Sequence, residues 1–338
     1  MRVTLKDIAR ELNVSVVTVS KVLRNHGDIG QETRERVLKK MKELNYQPNL
    51  AARALVTGRT YSIGLVVPDL VHPFFAEVAK GIAHQLRPRG YGILISSSEE
   101  DPALERQEVE FLIGRAVDAL ILASASPTPE SVQLCRERHV PCVLIDRRFP
   151  DLKADYVGVD DREVGLAATR HLIEVGCRRI AHIRGGEVSP GLGRLAGYQQ
   201  ALEEAGLPRL PERVCAGRSS DDSADISGYH AMKHLLGLDP QPDGVFCFND
   251  PTAAGAMKAI FEAGLRVPQD IALVGAGNVA YAELLRVPLS SVDQGSKALG
   301  DHAARLALKR IGNPASQQPR SVIIPPGLVV RESSRRGQ

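Results

Sequence analysis

Two short amphipathic helical patterns, Leu5 to Leu12 and Val16 to Leu23, are separated only by Asn13-Val14-Ser15. A link this short cannot let the two helices lie far apart, so they must share one small core. Leu5, Ile8, Ala9 and Leu12 recur with a period near 3.6, and Val19 and Leu23 can pack back onto Ile8 and Leu12. Thr4 can cap the first free amides, Asp7 sits favourably in the first turn, and Ser15 restarts the chain after the break. A third pattern, Gln31 to Leu44, adds Val37, Met41 and Leu44 and closes a three-helix unit.

The segment Ser15-Val16-Val17-Thr18-Val19-Ser20-Lys21 needs only Val19 inside, so at least one of Val16 and Val17 is expected to stand outside. An exposed β-branched residue gains nothing from water, but at the tip of a helix in a major groove it can pack on a thymine methyl. Thr18 and Ser20 offer hydroxyls to phosphates or base edges, and Lys21 can reach a guanine or a phosphate. The alternative is that both valines fill the core and Lys21 is merely solvated. Residues 1–60 hold twelve Lys/Arg against six Asp/Glu, a local charge of +6 in a chain whose total is +3. Arg34, Arg36, Lys39, Lys40 and Lys42 concentrate that charge on the third helix. A basic unit on a mildly acidic body implies that one end meets a polyanion and the other does not.

After Tyr46-Gln47-Pro48, Asn49 can cap a helix over Leu50 to Val56, two turns at most. Such a helix is marginal in water and needs another surface to order it. Arg53 and Leu55 suggest a cation and an apolar wedge entering a minor groove, the alternative being an ordinary helical linker.

From Ser62 the period changes. Apolar strands at Ile63 to Val67, Ile93 to Ile95, Val117 to Leu122 and Cys142 to Ile145 alternate with helical stretches, and a second round follows through Val274. This is a doubly wound α/β body with parallel sheets, in two like-built subdomains. A helix over Gln294 to Arg310 and strands at Ser321 to Ile324 and Leu328 to Val330 come too late to extend only the second unit, so the chain is expected to cross between the two more than once. The expected division is 1–48 and 49–60 for headpiece and linker, 61–160 with 293–320 for one subdomain, 161–292 with 321–332 for the other, and a tail at 333–338.

Ligands of such sheets lie beyond the carboxyl ends of the strands. Asp69, Asp146-Arg147, Asp160-Asp161 and Asn249-Asp250 fall there. Phe74 either stacks on a ligand or joins Phe75 in the core. Arg194, read as following a glycine-rich loop from Gly185 to Gly193, either meets a ligand oxygen or pairs with a neighbouring aspartate. Gly185-Gly186 has neither the glycine spacing nor the lysine of a nucleotide-binding loop.

The length, 338 residues, exceeds one core, and no apolar run approaches a membrane span. Cys135, Cys142, Cys177, Cys215 and Cys247 are odd in number and contain no C-x-x-C pair, as expected of thiols in a reducing compartment. With a capped helix at the N-terminus in place of a signal peptide, a cytoplasmic location is expected. No cofactor fingerprint, metal-ligand cluster, nucleophile motif or paired acid/base spacing is evident, so no enzyme is expected. The rival reading is a small-molecule binding protein without a DNA function, which predicts a secretory leader and no headpiece.

The sequence resembles the lactose-repressor family of bacterial transcription regulators. Thr4-Leu5-Lys6-Asp7-Ile8-Ala9, Val14-Ser15, Thr18-Val19-Ser20-Lys21-Val22-Leu23, Thr33-Arg34-Glu35-Arg36-Val37 and Tyr46-Gln47-Pro48-Asn49 match the family headpiece without a gap. In the body, Pro73-Phe74-Phe75, Ile145-Asp146-Arg147, Arg194 with Gly197-Tyr198, Asn249-Asp250, Val274-Gly275 and Leu289-Ser290-Ser291-Val292 also fit. The resemblance implies a three-helix headpiece and hinge helix joined to a periplasmic-binding-protein-like body of two α/β subdomains. It implies operator reading by Val16, Val17 and Lys21, with Thr4, Ser15, Thr18, Ser20, Asn49 and Arg53 among the DNA-facing candidates and Leu55 beside Ala52 wedged in the minor groove. It further implies an effector, a sugar or nucleoside, between the subdomains against Phe74, Asp146, Arg194 and Asn249, with a homodimer on a near-palindromic site. Two departures matter. Gly30 is a weaker cap than the family's usual Ser or Thr. Gly277 stands where the family places an aspartate that accepts ligand hydroxyls, leaving Asp146 or Asn278 to compensate.

Overall fold

The computed structural model describes residues 3–23, 27–46, 54, 57–216, 224–313 and 318–336, in two units divided after Thr60. In the first unit, α1 (Leu5–Leu12), α2 (Val16–Leu23) and α3 (Gln31–Glu43) surround a core of Ile8, Ala9, Val19, Val22, Val37 and Met41. Thr4 and Asp7 form a reciprocal capping box at the start of α1, and Asn13 ends that helix in the left-handed conformation at φ 52°. The Gly30 cap of α3 makes no side-chain hydrogen bond. Val22 is buried and Leu23 only half-buried, which turns α2 slightly from the expected Val19 and Leu23 face.

The second unit holds two six-stranded sheets. The first runs in the order β11 (Ser321–Ile324), β5 (Asp155–Val159), β4 (Cys142–Ile145), β3 (Ala119–Leu122), β1 (Ser62–Val67), β2 (Gly92–Ser97), and every neighbouring pair is parallel. The second runs β12 (Gly327–Val329), β10 (Ser290–Asp293), β9 (Ala272–Ala276), β8 (Gly244–Cys247), β6 (Ile180–Arg184), β7 (Val214–Ala216), with only β12 antiparallel. Both sheets reverse strand order beside their first strand, which opens a crevice at the carboxyl ends of the strands.

The helices are α4 (Pro73–Leu86), α5 (Pro102–Gly114), α6 (Glu130–Glu137), α7 (Asp161–Glu174), α8 (Ser189–Glu204), α9 (Ala224–Leu236), α10 (Asp250–Glu262) and α11 (Ser296–Gly312). Three helix pairs cross where one glycine from each partner meets the other's backbone: Gly81 and Gly300 for α4 with α11, Gly165 and Gly197 for α7 with α8, Gly228 and Gly255 for α9 with α10. A Cβ at any of the six would overlap a carbonyl oxygen of the facing helix. The first of these contacts holds α11 on the first sheet, where Leu299, Ala303 and Ala307 join Ile63, Leu65 and Ile121 in one core.

Three sequence-based expectations are corrected. Strand 321–324 pairs with Tyr156 to Val159 and so belongs to the first lobe, because the chain makes its third crossing after Ile324 and not before Ser321. Within the expected tail at 333–338, Ser333 and Ser334 are fully buried and bond to Ser290, the Leu273 carbonyl and His171. Helix α8 begins at Ser189, so Gly191, Gly193 and Arg194 lie inside a helix and not after a loop; Gly191 and Gly193 are needed there because a Cβ would strike the Gly186 carbonyl and Asp161.

Candidate nucleic-acid interface and interlobe cleft

Helix α2 leaves Val16 39% exposed and Val17 60% exposed while Val19 is fully buried. Both valines are therefore outside, beyond the minimum the sequence required. Ser15 Oγ accepts from the Thr18 amide at 3.0 Å and lies 2.8 Å from the Thr18 hydroxyl, which fixes the first turn of the helix. Ser20 is half-buried. Lys21 is tied to Asp28 across 2.5 Å, so a phosphate would have to compete with that carboxylate. Thr4 spends its hydroxyl on Asp7, to which it donates at 2.7 Å, and remains on the surface. On α3, Lys40 pairs with Glu11 and Glu43 at 3.5 and 3.0 Å, while Lys39 and Lys42 are exposed. Asn49, Ala52, Arg53 and Leu55 lie outside the described residues.

In the cleft, Arg194 is 3% exposed, and each of its three guanidinium nitrogens donates to a protein acceptor. Nε donates to Asp161 at 3.0 Å, Nη1 to the Phe248 carbonyl at 2.7 Å, and Nη2 to Gln294 at 2.8 Å, with the ring of Phe248 4.5 Å from the guanidinium carbon. The ion pair with a neighbouring aspartate is thus what Arg194 makes here. Burial pushes the Asp161 carboxyl up to about 6, against the pull of Arg194. Gln294 sits on the crossover into α11, so Arg194 anchors the strand that connects the lobes.

On the other lobe, Arg147 is clamped by Glu100 through Nη1 at 2.7 Å and Nη2 at 2.5 Å, and Nη1 also reaches the Ser124 carbonyl. Its Nε is buried with no hydrogen-bond partner and lies 3.9 Å from Asp146. Asp146 is 8% exposed, in the left-handed region at φ 58°, and desolvation raises its carboxyl above the ordinary range despite Arg194 and Arg147. A buried carboxylate next to an unfilled guanidinium N–H is a site that still lacks a polar partner.

The lobes touch through His72, which the sequence reading did not single out. Its Nε2 lies 3.1 Å from Asn249 Nδ2, and Asn249 Oδ1 accepts from the Thr252 amide at 2.8 Å to cap α10. Asn249 Nδ2 is therefore a donor, and His72 Nε2 accepts. The Phe74 amide also approaches Nδ1 at 3.3 Å, and a neutral imidazole can accept at only one nitrogen, so the two contacts compete. Burial holds the His72 ring down to about 4, keeping it neutral. Its position just before Pro73 at a helix start was the available signal. Glu100 and Gln294 carried none, being remote in sequence from the arginines they bind.

The remaining candidates make the following contacts within their own lobes. Phe74 is 4% exposed and packs in the core with Phe75, ring centroids 5.2 Å apart. Asp69 accepts from the Val71 amide at 2.7 Å and closes a turn. Asn278 is consumed within the second lobe, donating to Asp293 at 3.1 Å and accepting from Arg331 at 2.8 Å. Among the described residues no group of three His, Cys, Asp or Glu is placed to hold a metal, and no helix is long and apolar enough to cross a membrane.

These two surfaces define a class: a helix-turn-helix unit with an open reading face, joined to a two-sheet ligand-binding body. Residues 4–49 match the model for bacterial regulatory proteins of the lacI family, and residues 169–334 match a periplasmic binding protein-like domain. The chain is 34% identical to the HTH-type transcriptional regulator DegA of Bacillus subtilis over 99% of this chain and 98% of that one. It is 35% identical to the HTH-type transcriptional repressor PurR of Escherichia coli over 99% and 97%. Among solved structures it is similar to a transcriptional regulator CelR–cellobiose complex, at 33% identity, TM-score 0.74 and coverage of 98% and 100%. It is also similar to the lac repressor dimer bound to operator and the anti-inducer ONPF, at 25% identity, TM-score 0.85 and coverage of 99% for each chain. The chain belongs to the LacI family of bacterial transcriptional regulators, and is a sequence-specific DNA-binding regulator that responds to a small molecule.

Proposed function

We propose that this regulator is a cytoplasmic homodimeric repressor that reads a near-palindromic operator with Val16, Val17 and Lys21 and releases or tightens it as a sugar or nucleoside-like effector enters the interlobe cleft. The observation that carries the reading is the exposed Val16-Val17 pair at the start of a helix whose next valine is fully buried. Two apolar side chains held in water at a helix tip suit thymine methyls. Asn49, Ala52, Arg53 and Leu55 extend the contact into a minor groove in this reading. On the effector side, Asp146 is the acceptor for ligand hydroxyls, the unfilled Nε of Arg147 is the donor, and Asn249 with His72 closes the cleft. The lobes act as two bodies that rotate about the three crossovers, and that rotation biases the ordering of the linker.

The test is selection of operators from a random duplex library with the full-length protein, followed by operator titration against a panel of sugars, nucleosides and bases. An enriched palindrome whose affinity at least one panel member shifts supports the reading; a protein that selects no sequence sinks it. The CelR–cellobiose likeness favours starting with oligosaccharides and the PurR likeness with purines.

A further inference from the structure

Behind the loop that carries Asp146 and Arg147 lies a cavity of about 460 Å³, on the flank of the first lobe. Leu144, Phe149, Leu152 and Tyr156 form apolar walls, and Arg148 and Lys153 stand at its mouth. No acidic residue is among its described lining. An adjoining cavity of about 340 Å³ shares Lys153 and adds Arg136 and His139; its one carboxylate, Asp155, is neutralised by Arg310 at 2.5 Å. Arg148 already lies with its guanidinium carbon 5.6 Å from the Tyr156 ring. Volume, an aromatic floor and two exposed cations with no carboxylate in the described lining are the features of a site for a small organic molecule with a negative end.

The cavity and the cleft share a wall. The Tyr156 hydroxyl donates to the Asp146 carbonyl at 3.0 Å, and the Arg148 amide donates to Ser189 Oγ in the opposite lobe at 2.9 Å. A ligand wedged between the 148–153 loop and Tyr156 therefore presses on the backbone of Asp146 and on an interlobe hydrogen bond. The site lies toward the β4, β5 and β11 side of the sheet, at the end away from the exposed edge strand β2.

We propose that this cavity is a second ligand site, for a small aromatic or amphipathic anion such as a ring-borne carboxylate or sulfonate, and that its occupation alters effector response through Tyr156 and the Arg148 to Ser189 contact. The site itself is independent of what fills the interlobe cleft; its coupling to effector response rests on the proposed function above. The probe is anilinonaphthalene sulfonate, titrated into the full-length native protein by fluorescence; the chain has no tryptophan to interfere. Saturable binding of one dye per chain is expected. Arg148→Glu and Lys153→Glu, both on exposed side chains, are each expected to weaken it about tenfold or more without lowering the melting temperature. Leu152→Trp, which fills the cavity, is expected to abolish the fluorescence gain; should that variant not fold, the two charge reversals decide. Dye affinity unchanged in both charge reversals overturns the site. So does loss of binding in the cleft variant Asn249→Ala with binding retained in Lys153→Glu. Operator affinity that stays the same to within about twofold when the site is saturated with dye, with and without effector, overturns the coupling.

Discussion

Helix α2 holds Val17 60% exposed, whereas Arg194 in the cleft is 3% exposed with every nitrogen on a protein acceptor. Helix α2 leaves apolar surface in water and ties Lys21 to Asp28. The cleft buries its charges and cancels them internally, Arg194 against Asp161 and Arg147 against Glu100. The cleft arginines are already paired, while the Arg147 Nε, 3.9 Å from Asp146, has no hydrogen-bond partner. The contrast teaches that the two surfaces couple differently to stability: headpiece groups can be removed with the fold intact, while each cleft charge is held by a partner that its removal strands.

The largest effect is expected from Asp161→Ala, which leaves the Arg194 guanidinium buried without its carboxylate and should cost about 3–5 kcal/mol of stability. Urea unfolding of the variant measures it, and a loss below about 1 kcal/mol would break the contrast.

Next comes the pH dependence of a buried carboxyl. Asp250, which accepts from Ser291 at 2.6 Å and from the Val279 amide at 2.9 Å, is pushed by burial from 3.8 up to about 6. Its protonated form is favoured in the folded chain, so its contribution is full below pH 4 and is lost as pH rises through about 6. The parent should lose up to about 3 kcal/mol relative to Asp250→Asn across that window and nothing further above it. His72 and His182, both held down to about 4 by burial, act in the opposite sense: their contribution is present above 6.5 and is lost as pH falls. Comparing variant with parent at each pH removes that background. The headpiece carboxylate Asp7 is shifted the other way, below its ordinary value, chiefly by its hydrogen bond with Thr4, as expected for a group on the surface.

Val17→Ser should then cost operator affinity about 1–3 kcal/mol, or roughly fivefold to 150-fold, while thermal stability changes by less than about 0.5 kcal/mol. Fluorescence anisotropy with operator, alongside a melting curve, tests both halves; a stability loss equal to the affinity loss would mean that the valine is a packing residue. Smallest of all, Lys21→Met should weaken binding to the operator more than to a scrambled duplex and flatten the salt dependence of affinity by about one unit of slope; equal weakening on both duplexes would make the lysine a phosphate contact and not a reader.

Much of this was legible in advance because the relevant signals are local. The Thr4 cap, the break at Asn13, at least one outward valine on α2 and the alternation of strands and helices in the body all follow from spacing within a few residues. The errors came where spacing says nothing. The run from Gly185 to Gly193 read as a loop because glycine is a poor helix former, yet Gly191 and Gly193 lie in α8, where close approach to the Gly186 carbonyl and Asp161 excludes any side chain. Strand 321–324 was assigned to the wrong lobe because a four-residue apolar strand carries no label for the sheet it will join.

What the sequence alone determined was the inventory: a headpiece with two valines free to face outward, a double round of β and α elements, and polar residues set at strand ends. Periodicity and capping are properties of neighbours along the chain, and they are written there. Only the tertiary structure decided which partners those residues keep. Arg194 has its aspartate and glutamine from distant segments, Arg147 its Glu100, and Asn249 its His72, because the parallel strand order within each lobe and the crossings between lobes bring residues far apart in sequence within hydrogen-bond reach. Phe74 went to the core for the same reason, since burial depends on which helix and sheet close over it, which no local pattern specifies.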